Sequence, residues 1–360
     1  MDTEELLESL SPPVRNWFQE KFPDFTDPQK IAIPRILNGE HLLLCSPTGS
    51  GKTLTAFLTI IDDLVRKSLD GTLSDSVQCI YISPIKALAN DIQKNLIGPL
   101  TEIKERFLPS RAKDIKVGLR TGDTPQKERE RMLKKPPHIL ITTPESLGLA
   151  LASKRFRPLL QELRWIIIDE MHSLVPTKRG THLSLSMALM DTVVPTNVQR
   201  IGISATMEPL ESVAEYLVAS DSQESELGTQ RVSIAKISGS RELDMDIILP
   251  TARFSSTPVK EVLDHNIARI KELVEAHTTT LVFVNTRNMT ETVVQRLKIA
   301  GLEGVEGHHG SMDKAIRLDV ENRLKNGLLR AVVSLSLIHI SEPTRLLSIS
   351  DAGFRVKKKK

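Results

Sequence analysis

Cysteine is scarce in this sequence, which has only Cys45 and Cys79 among its 360 residues. Two cysteines cannot build a disulfide framework, and because each lies in an apolar run, we expect both to be buried thiols. Apolar runs are also short, since none approaches the ~20 residues that a membrane-spanning helix requires. The acidic residues 1–5 lack the features of a secretory signal. We therefore expect a cytoplasmic protein without a membrane partner.

The chain also lacks a clear excess of charge of one sign. Its formal net charge is +3, but residues 335–360 alone contain six basic and two acidic side chains. The remaining sequence is close to neutral, so bulk charge gives no argument for a nucleic-acid partner. Hydrophobic residues make up 40% of the chain, which is ordinary for a globular protein. The length allows about two domains of ~150 residues.

Residues 46–53 form a glycine-bearing loop between two apolar segments. The segment before it predicts a buried strand at 42–45, and the segment after it predicts the start of a helix. This is the context of a phosphate-binding loop, because glycines let backbone N–H groups face an anion and the helix dipole favours it. Lys52 can reach the β- and γ-phosphates, and the Thr53 hydroxyl can hold Mg²⁺.

The general phosphate-loop pattern begins with glycine, and Ser46 occupies that position here. The alternative interpretation is an ordinary glycine turn between a strand and a helix. We predict nucleotide binding by the whole loop, which consists of Ser46, Pro47, Thr48, Gly49, Ser50, Gly51, Lys52 and Thr53.

Gln29 lies a short distance upstream of this loop. Its amide offers one donor and one acceptor, a combination suited to reading adenine. Phe22 or Phe25 could pack against the base. The alternative is a solvated glutamine in a turn, and spacing alone does not decide between the two.

The pair Asp169-Glu170 directly follows an apolar run that predicts a buried strand at 165–168. A carboxylate at such a strand end is well placed for Mg²⁺, and a second one can polarise water for attack on the γ-phosphate. We assign Asp169 to the metal and Glu170 to the water, with Lys52 as the third catalytic residue. The alternative is an acidic helix N-terminus. His172 has no second ligand at a matching spacing, so we do not expect it to bind a metal.

Small and hydroxyl-bearing residues follow three further predicted strands, at 78–82, 115–120 and 138–141. Ligands of an open parallel sheet bind at the carboxyl ends of its strands, where such turns can contact phosphates without reading bases. The alternative for each turn is helix capping. The predicted nucleic-acid track consists of Pro84, Lys86, Thr121, Gly122, Thr143 and Pro144.

Another predicted strand, at 200–203, ends in Ser204 and Thr206. These hydroxyls either couple the metal site to the rest of the sheet edge or cap the helix that follows. Spacing alone does not separate the two roles.

A polar segment at 220–226 marks a change in composition and predicts a loop. Strands are predicted at 231–237 and 245–249 on either side of a linker, and beyond residue 259 helices and strands alternate again without a second phosphate loop. We therefore expect a first domain at 1–237 and a second at 238–334.

Together these motifs resemble those of superfamily 2 helicases, and more narrowly those of the large helicase-related (Lhr) family of DExH-type ATP-dependent DNA helicases. The resemblance covers residues 1–334. It implies an α/β fold of two tandem RecA-like P-loop NTPase domains, with parallel sheets flanked by helices and the second domain incomplete. It also implies Mg²⁺ and ATP in the cleft between the domains, with a single strand bound across both. The similar segments are Gln29, 46–53, 84–88, 121–124, 143–147, 169–172, 204–206, 283–287 and 308–311.

The resemblance assigns roles to further residues. His172 is expected to couple ATP hydrolysis to nucleic acid, together with Ser204 and Thr206. The partner is expected to be single-stranded or forked DNA, as in DNA repair, and RNA stays open because backbone contacts discriminate the sugar poorly. The oligomeric state is left open. The residues of the second domain that are expected to contact nucleic acid are Asn285, Thr286, Arg287, His309 and Gly310.

The sequence departs from the family after Ser334. The family continues this strand with a coupling motif and then supplies an arginine finger to the γ-phosphate, and neither is found here. Residues 335–345 look like translated sequencing-adapter DNA and 357–360 like a translated poly-A run. We interpret 335–360 as a non-native tail on a truncated gene, and the alternative is a natural basic tail.

We therefore expect this chain to bind ATP, to hydrolyse it poorly and not to unwind nucleic acid, because an arginine finger contributes ~10³-fold or more to phosphoryl transfer. The alternatives are an RNA helicase of the same superfamily and a non-catalytic nucleotide-binding fragment.

Overall fold

The computed structural model describes residues 2–46, 51–84, 92–205, 208–218, 232–237, 246–248 and 259–335. The chain divides into two compact units, Met1–Gly239 and Ser240–Lys360. No helix in these described ranges combines the length and the apolarity needed to cross a lipid bilayer.

Seven of the described strands form one sheet in the first unit. The order across the sheet is β3-β4-β2-β5-β6-β1-β7, and every neighbouring pair is parallel. The apolar runs predicted as the first six strands are confirmed. The bounds are β1 (Leu42–Cys45), β2 (Cys79–Ile82), β3 (Val117–Arg120), β4 (Ile139–Thr142), β5 (Trp165–Ile168), β6 (Gln199–Ser204) and β7 (Ser233–Lys236).

Helices cover both faces of this sheet. A π-helical turn at Gln93–Ile97 precedes α5, and a 3₁₀ turn at Arg157–Leu160 follows α7. The described helices of the first unit are α1 (Thr3–Ser9), α2 (Pro12–Lys21), α3 (Asp27–Leu37), α4 (Lys52–Leu69), α5 (Gly98–Phe107), α6 (Gln126–Lys134), α7 (Pro144–Ala152), α8 (Met171–Leu174), α9 (Lys178–Val193) and α10 (Leu210–Val218).

Alternate residues of the central strands enter two separate hydrophobic clusters. Leu42 and Leu44 of β1 pack with α1 to α5 on one face, whereas Leu43 and Cys45 pack with α7 to α10 on the other. Because both faces are covered, the strands are apolar throughout rather than alternating. Cys45 and Cys79 are buried thiols, as predicted, and burial raises the pKa of Cys45 to about 11.

Three described strands of the second unit form a smaller parallel sheet in the order β8-β10-β9. Val274 and Leu297, from two different helices, pack with Val305 and Val333 of the sheet. The predicted strand at 245–249 is not found, since 246–248 have no regular structure. The bounds are α11 (Val259–Ala276), β8 (Thr280–Phe283), α12 (Arg287–Ile299), β9 (Val305–His308), α13 (Lys314–Lys325) and β10 (Ala331–Ser334). The predicted α/β class is confirmed.

His138 links the start of β4 to the start of β3 and gives the first unit a pH-dependent stability. Its buried Nδ1 accepts the Lys116 N–H at 2.9 Å, and burial lowers the pKa of His138 to about 4. As the pH falls below about 6.5, the unfolded chain binds a proton that the folded chain does not. We expect this histidine to reduce the free energy of unfolding by up to ~1.4 kcal/mol per pH unit down to about pH 4.

The measurement is urea unfolding of the wild-type chain and of a His138→Asn variant across this pH range. Asparagine keeps an acceptor near the Nδ1 position but does not titrate. The wild-type curve should therefore be steeper in pH than the variant curve, and parallel curves would contradict the assignment.

Candidate nucleotide and nucleic-acid site

The carboxyl ends of the strands meet at one edge of the large sheet. Cys45 at the end of β1 pairs with Ser204 at the end of β6, and Ile168 of β5 pairs with Gly202 of the same strand. The parallel register therefore places Ser46, where the phosphate loop begins, along one edge with the acidic pair and Ser204.

Lys52 begins helix α4 at this edge. Its Nζ donates to the Ser46 carbonyl at 2.7 Å, and the Ser46 N–H donates to the Ser204 carbonyl at 3.3 Å. Gly51 caps the helix with φ +85°, a conformation that favours glycine. A lysine ammonium at the start of a long helix suits a polyphosphate. The predicted loop residues Pro47, Thr48, Gly49 and Ser50 lie outside the described residues, and Thr53 is half-buried in the first turn of α4.

Gln29 is buried beside this loop rather than solvated. It is 3% exposed, and its Oε1 accepts the Thr26 N–H at 2.8 Å in a capping box. Its Nε2 lies 3.8 Å from the position that a Cβ on Gly51 would occupy. The alternative of a solvated glutamine is therefore wrong, and the adenine contact stays a prediction.

Phe25 packs in the core, so the suggestion that it stacks on a base is wrong. It is 4% exposed, and its ring lies nearly parallel to that of Phe18 with centroids 4.2 Å apart. Phe22 is half-buried against Phe18 and Trp17.

Asp169 is a buried carboxylate at the end of β5. Its Oδ1 accepts the Glu170 N–H at 2.8 Å, and its Oδ2 accepts the Tyr81 hydroxyl. Glu170 has φ +54° and is the one non-glycine residue with positive φ in the part of the chain that the structure describes. Such a conformation in a bulky residue marks a turn held by its surroundings, which is common at functional sites.

His172 connects this acidic turn to the end of β6. Its Nδ1 accepts the Ala205 N–H at 3.3 Å and lies 3.5 Å from the Ser204 Oγ. Because Nδ1 accepts, the neutral ring carries its proton on Nε2, which donates to Glu170 Oε2 at 3.1 Å. The pKa of His172 is lowered, first by burial and second by the charge of Lys52, and this favours the neutral ring. The structure thus brings His172 and Ser204 together, while Thr206 lies outside the described residues.

No group of three or more His, Cys, Asp and Glu side chains among the described residues could hold a metal by itself. Mg²⁺ commonly takes one or two protein ligands and completes its shell with phosphates and water. Asp169 and Thr53 fit that mode, since one lies at the end of β5 and the other in the first turn after the loop.

The predicted nucleic-acid turns occupy the same edge. Arg129 shapes the β3 turn by donating to the carbonyls of Thr121, Gly122 and Thr124 at 2.9–3.2 Å. The Thr143 hydroxyl caps α7 by accepting the N–H of Ser146. Thr143 therefore has the capping role named as the alternative, and Pro144 is the first residue of the helix. Pro84 directly follows Ser83 at the end of β2, whereas Lys86 lies outside the described residues.

In the second unit, the predicted residues follow β8 and β9, the two strands that flank β10. Asn285, Thr286 and Arg287 are exposed, and the Thr286 hydroxyl caps α12. His309 is 8% exposed, and its Nε2 lies 2.7 Å from the Glu291 Oε1. Its ring is therefore part of the packing of the second unit. Gly310 is the exposed member of that turn.

Sequence reasoning missed Tyr81, Arg129 and Arg179. Tyr81 sits on an apolar strand like any core residue, and its partner Asp169 is 88 residues away. Arg129 lies in the charged helix α6, and its closeness in sequence to Thr121 and Thr124, five to eight residues away, was a signal that could have been used. Arg179 contacts residues 34 and 95 positions away, so no local pattern could have found it.

Comparisons with known proteins agree with this arrangement. The ATP-dependent helicase Lhr-Core of Methanothermobacter thermautotrophicus is 46% identical over 343 residues, and that of Methanocaldococcus jannaschii is 43% identical over 339. These matches cover 93% and 94% of this chain but only 39% of each relative. The structure of Mycobacterium smegmatis helicase Lhr bound to ssDNA and AMP-PNP matches with a TM-score of 0.72 at 39% identity, covering 92% of this chain and 42% of the other.

The predicted tandem RecA-like fold and the resemblance to Lhr helicases are therefore confirmed. The family model for DEAD/DEAH box helicases matches residues 26–214, which include Gln29, the phosphate loop and Asp169-Glu170. This chain belongs to the DEAD/DEAH box helicase family.

Proposed function

We propose that this chain binds ATP with Mg²⁺ and provides the motor site of a helicase or translocase that acts on single-stranded or forked DNA. The observation that carries the proposal is the placement of Lys52 after β1 and of the Asp169-Glu170 turn after β5, the two strands that flank β6, where His172 and Ser204 connect them. The DNA preference is supported by the relative from Mycobacterium smegmatis, whose structure was solved with ssDNA and AMP-PNP.

Each residue has a separate task in this proposal. Lys52 and the backbone N–H groups at the start of α4 bind the phosphates, and Asp169 with Thr53 would hold Mg²⁺. The metal, when bound, offsets the negative charge of the phosphates. Glu170 orients the attacking water and accepts its proton. Its carboxylate is held by the Nε2–H of His172.

The hydroxyl- and N–H-bearing turns after β2, β3 and β4 form the proposed strand-binding surface of the first unit. Contacts of this type position a phosphate backbone without sequence specificity. His172 links the water-orienting Glu170 to Ser204 and Ala205 at the same edge. We propose that this link couples the state of the nucleotide to the strand-binding turns.

We propose that the chain as given turns ATP over slowly, because residues 335–360 do not resemble the arginine-finger motif that the resemblance to Lhr helicases implies. The test measures ATP binding by calorimetry, and ATP turnover without nucleic acid, with single-stranded DNA and with single-stranded RNA. We expect ATP to bind and turnover to stay well below ~1 s⁻¹ under all conditions. DNA-stimulated ATP turnover near ~1 s⁻¹ would contradict the prediction that this chain hydrolyses ATP slowly. Absence of ATP binding would contradict the motor site, and stronger stimulation of ATP turnover by RNA than by DNA would replace the DNA preference.

A further inference from the structure

Arg179 joins two of the turns at the sheet edge. Its Nε and Nη2 donate to the two carboxylate oxygens of Glu145 at 2.6 and 3.2 Å, and its Nη1 donates to the Pro84 carbonyl at 2.8 Å. Glu145 lies in the first turn of α7 directly after Pro144, and Pro84 follows β2. We propose that Arg179 is a positioning residue that fixes the β2 and β4 turns relative to each other as one strand-binding surface, an inference that rests on the proposed function.

The contact requires the planar fork of an arginine. A guanidinium presents several N–H donors in fixed directions and can bind a carboxylate with two of them while a third reaches elsewhere. A lysine ammonium at the same place could keep the charge but not this three-point bridge. The hydrogen bond from Arg179 is the main reason that the pKa of Glu145 is lowered to about 2, so the carboxylate stays charged at neutral pH.

Arg179 is also connected to the acidic turn through two helices that pack against each other. It lies in the first turn of α9, and α8 begins directly after Glu170. The two helices touch at Gly180, where a Cβ would lie 2.3 Å from the Leu174 carbonyl oxygen. The Tyr216 hydroxyl donates to the Gly180 carbonyl at 2.6 Å and holds this junction from α10. Only α8 and the first turn of α9, packed against each other, therefore lie between the Glu170 turn and Arg179.

The test measures binding of a fluorescent single-stranded DNA in the presence of a non-hydrolysable ATP analogue, over a range of salt concentrations. The variants are Arg179→Lys and Arg179→Met, and the matched control is Arg164→Met. Arg164 precedes β5 at the opposite edge of the sheet and pairs with Asp63 at 2.7 Å. Its side chain is 47% exposed, against 41% for Arg179.

A positioning role predicts that both Arg179 variants bind the strand about tenfold more weakly than the wild-type chain, the equivalent of losing one charge-assisted hydrogen bond. The slope of log affinity against log salt should not change, because no phosphate contact is lost. Arg164→Met should bind like the wild-type chain. Glu145→Gln should reproduce the loss, and the double variant Arg179→Met with Glu145→Gln should lose no more than either alone.

Other results overturn the inference. If Arg179 contacted phosphate directly, Arg179→Lys would keep most of the affinity and Arg179→Met would reduce the salt slope by about one. Additive losses from Arg179→Met and Glu145→Gln would show that the two side chains act separately. If Arg179→Met bound the strand as tightly as the wild-type chain, the inference would be overturned and the proposed function would stand. Failure of the wild-type chain to bind any single strand would overturn the proposed function and the inference with it.

Discussion

The Lys52→Ala variant should bind ATP at least ~100-fold more weakly than the wild-type chain. The ammonium of Lys52 lies at the start of α4, where its Nζ bonds the Ser46 carbonyl at 2.7 Å. On nucleotide binding it would exchange a neutral carbonyl for charged phosphates. Two charge-assisted hydrogen bonds contribute about 3 kcal/mol together, which corresponds to about 100-fold in affinity. Calorimetric titration with ATP and with a non-hydrolysable analogue measures the loss.

Lys67→Ala is the matched control. Lys67 lies on the same helix near its other end, where its Nζ contacts Asp63 at 3.1 Å and Gln78 at 2.6 Å. This variant should bind ATP like the wild-type chain, and equal affinity of both variants would contradict the assignment. A second readout needs no nucleotide. Because the charge of Lys52 contributes to the lowered pKa of His172, Lys52→Ala should raise that pKa, which NMR titration detects.

The Asp169→Asn variant should lose the dependence of nucleotide affinity on Mg²⁺. Asp169 is 3% exposed, and its two oxygens accept the Glu170 N–H and the Tyr81 hydroxyl. The amide has nearly the same shape but no charge, and Mg²⁺ prefers carboxylate oxygen. Replacing even a residue that only orients a metal ligand lowers metal affinity by ~10–100-fold. For Asp169→Asn we therefore expect Mg²⁺ affinity to fall by at least ~10-fold. The measurement is nucleotide affinity with and without Mg²⁺.

Asp62→Asn is the control for burial of a carboxylate. Asp62 is also 3% exposed and accepts the Ser11 N–H at 2.6 Å and the Arg66 Nε–H at 2.7 Å. Its replacement should lower the melting temperature but leave the Mg²⁺ effect intact. If Asp169→Asn still showed the full Mg²⁺ effect, the metal would have to be bound through other groups.

Much of the fold could be predicted because its signals are local. A parallel sheet with helices on both faces buries every strand residue, so that runs such as 42–45 and 165–168 are apolar throughout. The phosphate loop is also local, since its glycines, Lys52 and helix start are contiguous. In contrast, the 245–249 segment has the apolar pattern of a strand, yet its described residues 246–248 have no regular structure.

The side chains around the site were less predictable. Gln29 was open to interpretation as an exposed turn residue, but it lies in α3 beside Gly51 and is buried. Phe25 and His309 looked available for a ligand, yet Phe25 stacks on Phe18 and His309 contacts Glu291 within its own unit. Burial of this kind depends on which elements meet, and spacing along one element does not report it.

The sequence by itself determined the phosphate loop, the acidic pair and the strand–helix alternation, because each depends on neighbours within a few residues. Only the tertiary structure decided the order β3-β4-β2-β5-β6-β1-β7, and with it every contact between strand ends. The bridge from Arg179 to Glu145 and Pro84 and the bond from Tyr81 to Asp169 join residues 34 to 95 positions apart. Such pairs meet because the crossover helices return the chain to one sheet edge, so their contacts follow from topology rather than from local sequence.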